Sequence, residues 1–234
     1  MKFQLVLLSS LLVSQMGFAN TPPETVESLK VEILELAQSY AGQGDPDQSK
    51  QKPLEALVDK LVRLAPAQPV KDRLALLEGA WKQVWGPYDY RNDDGGVDST
   101  LGVDEIYQVV SASGYYYNVA PYYPNGDKTQ EKIGLLRGEF VLDTTDTNGL
   151  KVKFTDYPGS DPRPSGYQLW ELAPLAEAGT LPNATTIVPS FIVRAAFGGG
   201  KLEEVYTDKD MRIVFGTGAR PNARRFLYVM TRAN

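Results

Sequence analysis

Residues 132–155 read KIGLLRGEFVLDTTDTNGLKVKFT, two β-branched and aromatic runs, Lys132 to Leu142 and Leu150 to Thr155, set around Asn148-Gly149. Asn and Gly tolerate the positive φ of a type I′ turn, so the pair predicts a hairpin whose strands meet across it. The same texture extends both ways. Short runs at Ala80 to Trp85, Glu105 to Val110, Tyr115 to Ala120, Tyr167 to Leu172, Thr186 to Phe197, Lys201 to Thr207, Met211 to Gly216 and Arg225 to Thr231 read as further strands. Gly198, Gly199 and Gly200 predict another reversal. With no internal repeat and mostly short links, these strands favour a closed meander, because closure removes the edges an open sheet exposes. The fold class expected is mainly β, an antiparallel β-barrel.

Before Gly79 the period changes. Val26, Leu29, Ile33, Leu34, Leu36 and Ala37 fall on one helical face until Gly42 and Gly44. A second amphipathic helix opens at Pro53, carries Leu54, Leu57, Val58, Leu61, Val62 and Leu64, and stops at Pro66. Val70 to Leu77 has room for one or two more helical turns. Both long helices are expected to pack outside the barrel. The first nineteen residues read as a signal peptide: Lys2 is the charged start, Leu5 to Val13 the apolar run, and Gly17 and Ala19 the small residues before a cut. The expected organisation is signal peptide 1–19, helical segment 20–78 and barrel 79–234. Location follows as periplasmic in a double-membrane cell and secreted otherwise.

The chain holds no histidine and no cysteine. That excludes histidine and thiol chemistry, disulfides and a thioether-linked lipid anchor. A formal net charge of −5 disfavours nucleic acid and anionic membrane surfaces. No cofactor or metal is expected. Asn92 to Asp98 is acidic, but no register supplies alternating oxygen donors with a glycine sixth and a glutamate twelfth, as a calcium loop needs. Gly216-Thr217-Gly218 lacks the third glycine and the following helix of a dinucleotide loop. Arg220, Arg224 and Arg225 read as a solvated hairpin tip.

Several stretches carry a resemblance. Leu76-Leu77-Glu78-Gly79-Ala80-Trp81, Tyr107-Gln108-Val109-Val110 with Asn118, and above all Val205-Tyr206-Thr207-Asp208-Lys209-Asp210-Met211-Arg212-Ile213 make the chain similar to the plastid lipid-associated protein family, the fibrillins. The resemblance spans nearly the whole chain after the signal peptide. It implies a lipocalin-like barrel and an association with lipids.

Gly79-x-Trp81 with a late arginine also resembles the lipocalin barrel floor, where a guanidinium lies on an indole ring and hydrogen-bonds the chain around it. Arg212 is the expected partner of Trp81, with Arg232 the alternative. Asp208 and Asp210 beside Arg212 fit a capped turn with an ion pair better than an acid pair for hydrolysis. Glu105, Glu139 and Glu171 are scattered carboxylates that nothing in the sequence brings together. Aromatic residues run through nearly every strand, and Trp85, Tyr107, Tyr117, Phe140, Phe154, Phe215 and Tyr228 are the expected lining of an apolar cavity. Residues four apart on a strand share a face, so Trp85 is expected inside, above Trp81.

The function expected is non-enzymatic binding of a lipid or other small apolar molecule in the cell envelope. The alternative is an interaction protein whose barrel is filled and whose helices dock a protein or membrane surface. A carboxylate-dependent hydrolase lacks any spaced acid pair or nucleophile motif.

Overall fold

The computed structural model describes residues 24–45, 47–86, 99–101, 105–124, 126–186, 199–219 and 222–233. Helix α1 (Val26–Ser39) starts at Thr25, whose hydroxyl accepts from the Ser28 N–H at 3.1 Å while the Thr25 N–H donates back to the Ser28 hydroxyl at 2.9 Å. Helix α2 (Gln51–Leu64) is capped by buried Asp45, which accepts from the Lys50 and Gln51 N–H groups at 3.0 and 2.9 Å. A 3-10 turn (Val70–Asp72) and short α3 (Leu74–Leu77) follow.

The strands are β1 (Gly79–Trp85), β2 (Ser99–Leu101), β3 (Tyr107–Ser111), β4 (Tyr115–Pro124), β5 (Lys132–Leu142), β6 (Gly149–Asp156), β7 (Pro158–Ser160), β8 (Ala184–Thr186), β9 (Gly200–Thr207), β10 (Met211–Gly218) and β11 (Arg225–Arg232). Eight of them, β1, β3, β4, β5, β6, β9, β10 and β11, pair antiparallel in chain order, and β11 returns to β1 with Trp81 opposite Arg232. The chain is therefore a closed eight-stranded barrel preceded by helices, as its sequence pattern predicts. Strands β2, β7 and β8 extend β4 and β5 beyond the barrel.

Pairing antiparallel in chain order sends the links alternately to opposite ends. One end carries the short turns 112–114, 143–148 and 208–210 and is covered by Val70 to Leu77. The other, the mouth, carries the long links, which include residues 87–98, 102–104 and 187–198 outside the described set. Residues 1–19 expected as a signal peptide, the acidic stretch 92–98, most of the strand expected at 186–197 and Arg220 also lie outside it, as does Gly198 of the glycine run.

Two expectations are corrected here. The β5–β6 hairpin exists with Leu142 opposite Leu150, but Asn148-Gly149 is not its type I′ turn, because neither residue has positive φ. Two Asx turns shape a longer link instead: Asp143 accepts from the Thr145 N–H and Asp146 from the Asn148 N–H, each at 2.9 Å. Tyr167 to Leu172 is not a strand. It forms a 3-10 turn (Leu169–Glu171) and the start of α4 (Leu172–Glu177), since Gln168 and Glu171 make a reciprocal cap and Leu169, Leu172 and Ala173 bury one helical face on the barrel wall.

Three clusters divide the apolar side chains. Leu29, Ile33, Leu54, Leu57 and Leu61 of α1 and α2 pack on the outer faces of β1, β10 and β11. Leu169, Leu172, Ala173 and Leu181 pack on the outer faces of β3, β4 and β5. The third cluster joins one or more residues from each of the eight barrel strands, Trp81, Val110, Tyr116, Phe140, Leu150, Leu202, Val214 and Met230 among them. Mutual contact among eight strands is possible only inside the barrel.

Strand β1 bulges between Gln83 and Trp85, where the register against β11 slips. Past the bulge Trp85 lies opposite Val229, and the β11 residues before Val229 have no β1 residue opposite them. Gln51 of α2 takes that place: its side-chain amide donates to the Arg225 carbonyl at 3.1 Å and accepts from the Leu227 N–H at 3.2 Å, as a strand backbone would.

Candidate functional site

The closed end is built on Trp81, which is 0% exposed and whose indole N–H donates to the Leu77 carbonyl at 2.8 Å. The guanidinium on its ring belongs to Arg232, not Arg212: Cζ lies 3.7 Å from the ring centroid. Arg232 also donates to the carbonyls of Lys209, Glu78 and Leu76 at 3.2, 2.6 and 2.8 Å, tying the β9–β10 turn and the entry to β1 over the indole. Gly79 is required here, since its φ is +115° and a Cβ would sit 2.8 Å from Arg232 Nη1.

Arg212 points into the barrel and is 1% exposed. Its Nε donates to Glu204 at 3.0 Å and its Nη2 to the same carboxylate at 2.5 Å, while Nη1 donates to Gln108 Oε1. Gln108 Nε2 in turn donates to Asn118 Oδ1 at 3.0 Å. Glu204 faces in because β9 bulges beside β10 between Ile213 and Val214. Arg73 reaches the same region from the covering segment, donating to the Gln68 carbonyl, the Thr207 hydroxyl and the Glu204 carbonyl at 2.7, 3.2 and 2.8 Å. Burial holds its guanidinium below the usual range.

Of the seven aromatics expected to line a cavity, three lie in the interior cluster: Phe140, Phe154 and Tyr228. The other four are outside. Trp85 is buried beneath α1 and α2 because the β1 bulge turns it outward, and its indole N–H has no hydrogen-bond partner among the described residues. Phe215 lies on the same outer face with Arg225 Cζ 3.3 Å from its ring centroid. Tyr107 packs on Trp170 at 5.0 Å, and Tyr117 donates to Glu177 at 2.7 Å, both on the wall under α4. The parity of each strand decides this: Tyr107 and Tyr117 are odd neighbours of inward Gln108 and Tyr116, and Phe215 alternates with inward Val214.

Tyr116 is the interior aromatic that sequence reading passed over. Its ring lies across the cross-strand Gly138, where a Cβ would approach Cε1 to 2.5 Å. Burial pushes its hydroxyl strongly up. A glycine opposite a tyrosine on paired strands was the available signal. For Glu204 there was none, since the β9 bulge is invisible in the sequence.

Asp208 caps its turn as expected, accepting from the Asp210 and Met211 N–H groups at 2.8 and 2.7 Å. Its ion pair, however, is with Lys30 of α1 at 2.6 Å rather than with Arg212. Burial pushes the Asp208 carboxyl up, but Lys30, the two amides and the Tyr206 hydroxyl together hold it below the usual range. Asp210 is exposed; its carbonyl accepts from the Arg232 N–H at 2.9 Å. Glu105 pairs with Arg163, Glu139 with Arg137, and Glu171 caps Gln168, so these carboxylates serve three separate places. Arg224 donates to the Asp45 carbonyl at 2.7 Å, and Arg225, exposed as expected, pairs with Glu203 at 2.9 Å.

The interior is graded. At the closed end Trp81, Leu77, Arg212, Leu150 and Met230 are buried; towards the mouth the inward-facing Gln83, Gln108, Asn118, Ala120, Phe154, Leu202 and Tyr228 retain access to solvent. No family model, no curated protein and no solved structure matches the chain.

Proposed function

We propose that this chain is a non-enzymatic binding protein that holds a lipid or other small apolar molecule in its barrel, in the cell envelope. The graded interior carries the reading. A barrel of about eight strands either fills itself with side chains or accommodates one small ligand. Here one end is packed shut, whereas inward residues of the other half are within reach of solvent, and Phe154, Leu202 and Tyr228 give that half an apolar lining. The resemblance to the fibrillin family supports the same class of ligand. The signal-like first nineteen residues support export.

Docking through the helices has less behind it. Val31 and Leu64, 55% and 49% exposed, are single apolar residues on otherwise polar helical faces. Native mass spectrometry on protein purified gently from its own source tests the proposal. A stoichiometric copurified lipid is the expected result, together with saturable binding of a fluorescent alkyl probe. Absence of both would overturn it.

A further inference from the structure

Resting on the binding-barrel reading, we infer that the ligand is a neutral molecule whose polar end is a hydrogen-bond acceptor, a carbonyl or ether-like oxygen, and not an ionised carboxylate. The direction of the interior polar chain determines this. A guanidinium can only donate. Arg212 therefore fixes Gln108 with its oxygen inward to the arginine and its NH2 towards Asn118, and Asn118 must then accept through Oδ1. What remains is the Asn118 NH2. It makes no hydrogen bond among the described residues and retains access to solvent. Two residues earlier on the same inner face of β4, the Tyr116 hydroxyl is also without a partner there, on a side chain 3% exposed. Two unused donors thus border the accessible half, on one strand face.

Among the described residues nothing in the interior answers a negative charge. Every guanidinium nitrogen of Arg73, Arg212 and Arg232 already donates to a protein acceptor, and Arg212 is further neutralised by two bonds to Glu204. At the rim Lys132 pairs with Asp161 at 2.5 Å. A carboxylate moved inside would lose water without gaining a cation among the described residues, whereas a neutral carbonyl would satisfy donors that otherwise stay unmade.

The test uses three matched probes at pH 8: decylpyrene, pyrenedecanoate, and the methyl ester of that acid. The ester is expected to bind tightest, about tenfold tighter than the carboxylate, as typical for one buried polar group properly answered. Hydrophobicity alone would rank decylpyrene first, and that order would overturn the inference. So would a carboxylate that equals the ester. Tyr116→Phe, which keeps the ring over Gly138, and Asn118→Leu should each weaken the ester roughly fivefold and leave decylpyrene within about twofold. An unchanged ester affinity in both variants would also overturn it. If decylpyrene binds but the ester has no advantage, the head-group inference fails and the barrel reading stands. If no probe saturates, the barrel reading itself fails.

Discussion

The two halves of the barrel interior are made by the same eight strands and differ in what their polar groups do. At the closed end three arginines have all their nitrogens engaged, Trp81 is sealed between Leu77 and Arg232, and side chains fill the section. In the mouth half the inward residues include three amides and two aromatics that are not sealed, and Asn118 there and Tyr116 at its border hold donors with no partner among the described residues. Complete satisfaction makes a rigid plug. Incomplete satisfaction, in the same low-dielectric interior, is what a recognition site requires before its ligand arrives.

The largest effects should test whether the closed end is the stabilising half. Trp81→Ala is expected to cost about 3 to 5 kcal/mol, as large buried aromatics do. Trp85→Ala should cost a comparable amount, because Trp85 is buried under the helices rather than facing a ligand, and it should leave probe affinity nearly unchanged. Phe154→Ala, only partly buried, should cost about 1 to 2 kcal/mol and weaken probe binding. Chemical denaturation of the three variants gives the ranking; equal losses for Trp81 and Phe154 would erase the distinction between the halves.

The buried ion pair sharpens it next. Glu204→Ala leaves the Arg212 charge buried and half-unpaired, a loss of about 3 kcal/mol, and Arg212→Met with Glu204→Leu should regain most of it. A double variant no more stable than the single one would mean that the pair is not the origin of the cost.

The smallest effect concerns the outside. The Asp208 carboxyl is held low in the folded protein, so its contribution is present above the unfolded carboxylate pKa of about 4 and is lost as pH falls through the lower folded value. Asp208→Asn should lower Tm by about 2 °C at pH 7, typical of a partly exposed ion pair. The gap to the unmutated protein should narrow below about pH 4. A gap independent of pH would assign Asp208 a capping role alone.

Much of the fold was legible because it is local. Apolar spacing marks α1 and α2, and alternation with turn residues marks the barrel strands. Tyr167 to Leu172 misled because a six-residue aromatic run has no distinguishing period; the reciprocal cap of Gln168 and Glu171 and contact with the wall made it helical. The site was less legible. Phe140, Phe154 and Tyr228 were found inside, while Trp85, Tyr107, Tyr117 and Phe215 were found outside, and Gln108, Asn118, Glu204 and Tyr116 took their place.

By itself the sequence determined the two long helices and most of the barrel strands, the absence of histidine and cysteine chemistry, and the Gly79-x-Trp81 floor, all of which depend on residue identity or on neighbours a few positions away. Only the tertiary structure decided which face of each strand is inside. A strand alternates every residue, so one extra residue at the β1 or β9 bulge reverses every side chain beyond it, and both faces of this barrel are apolar because helices cover the outer wall as closely as the strands enclose the interior.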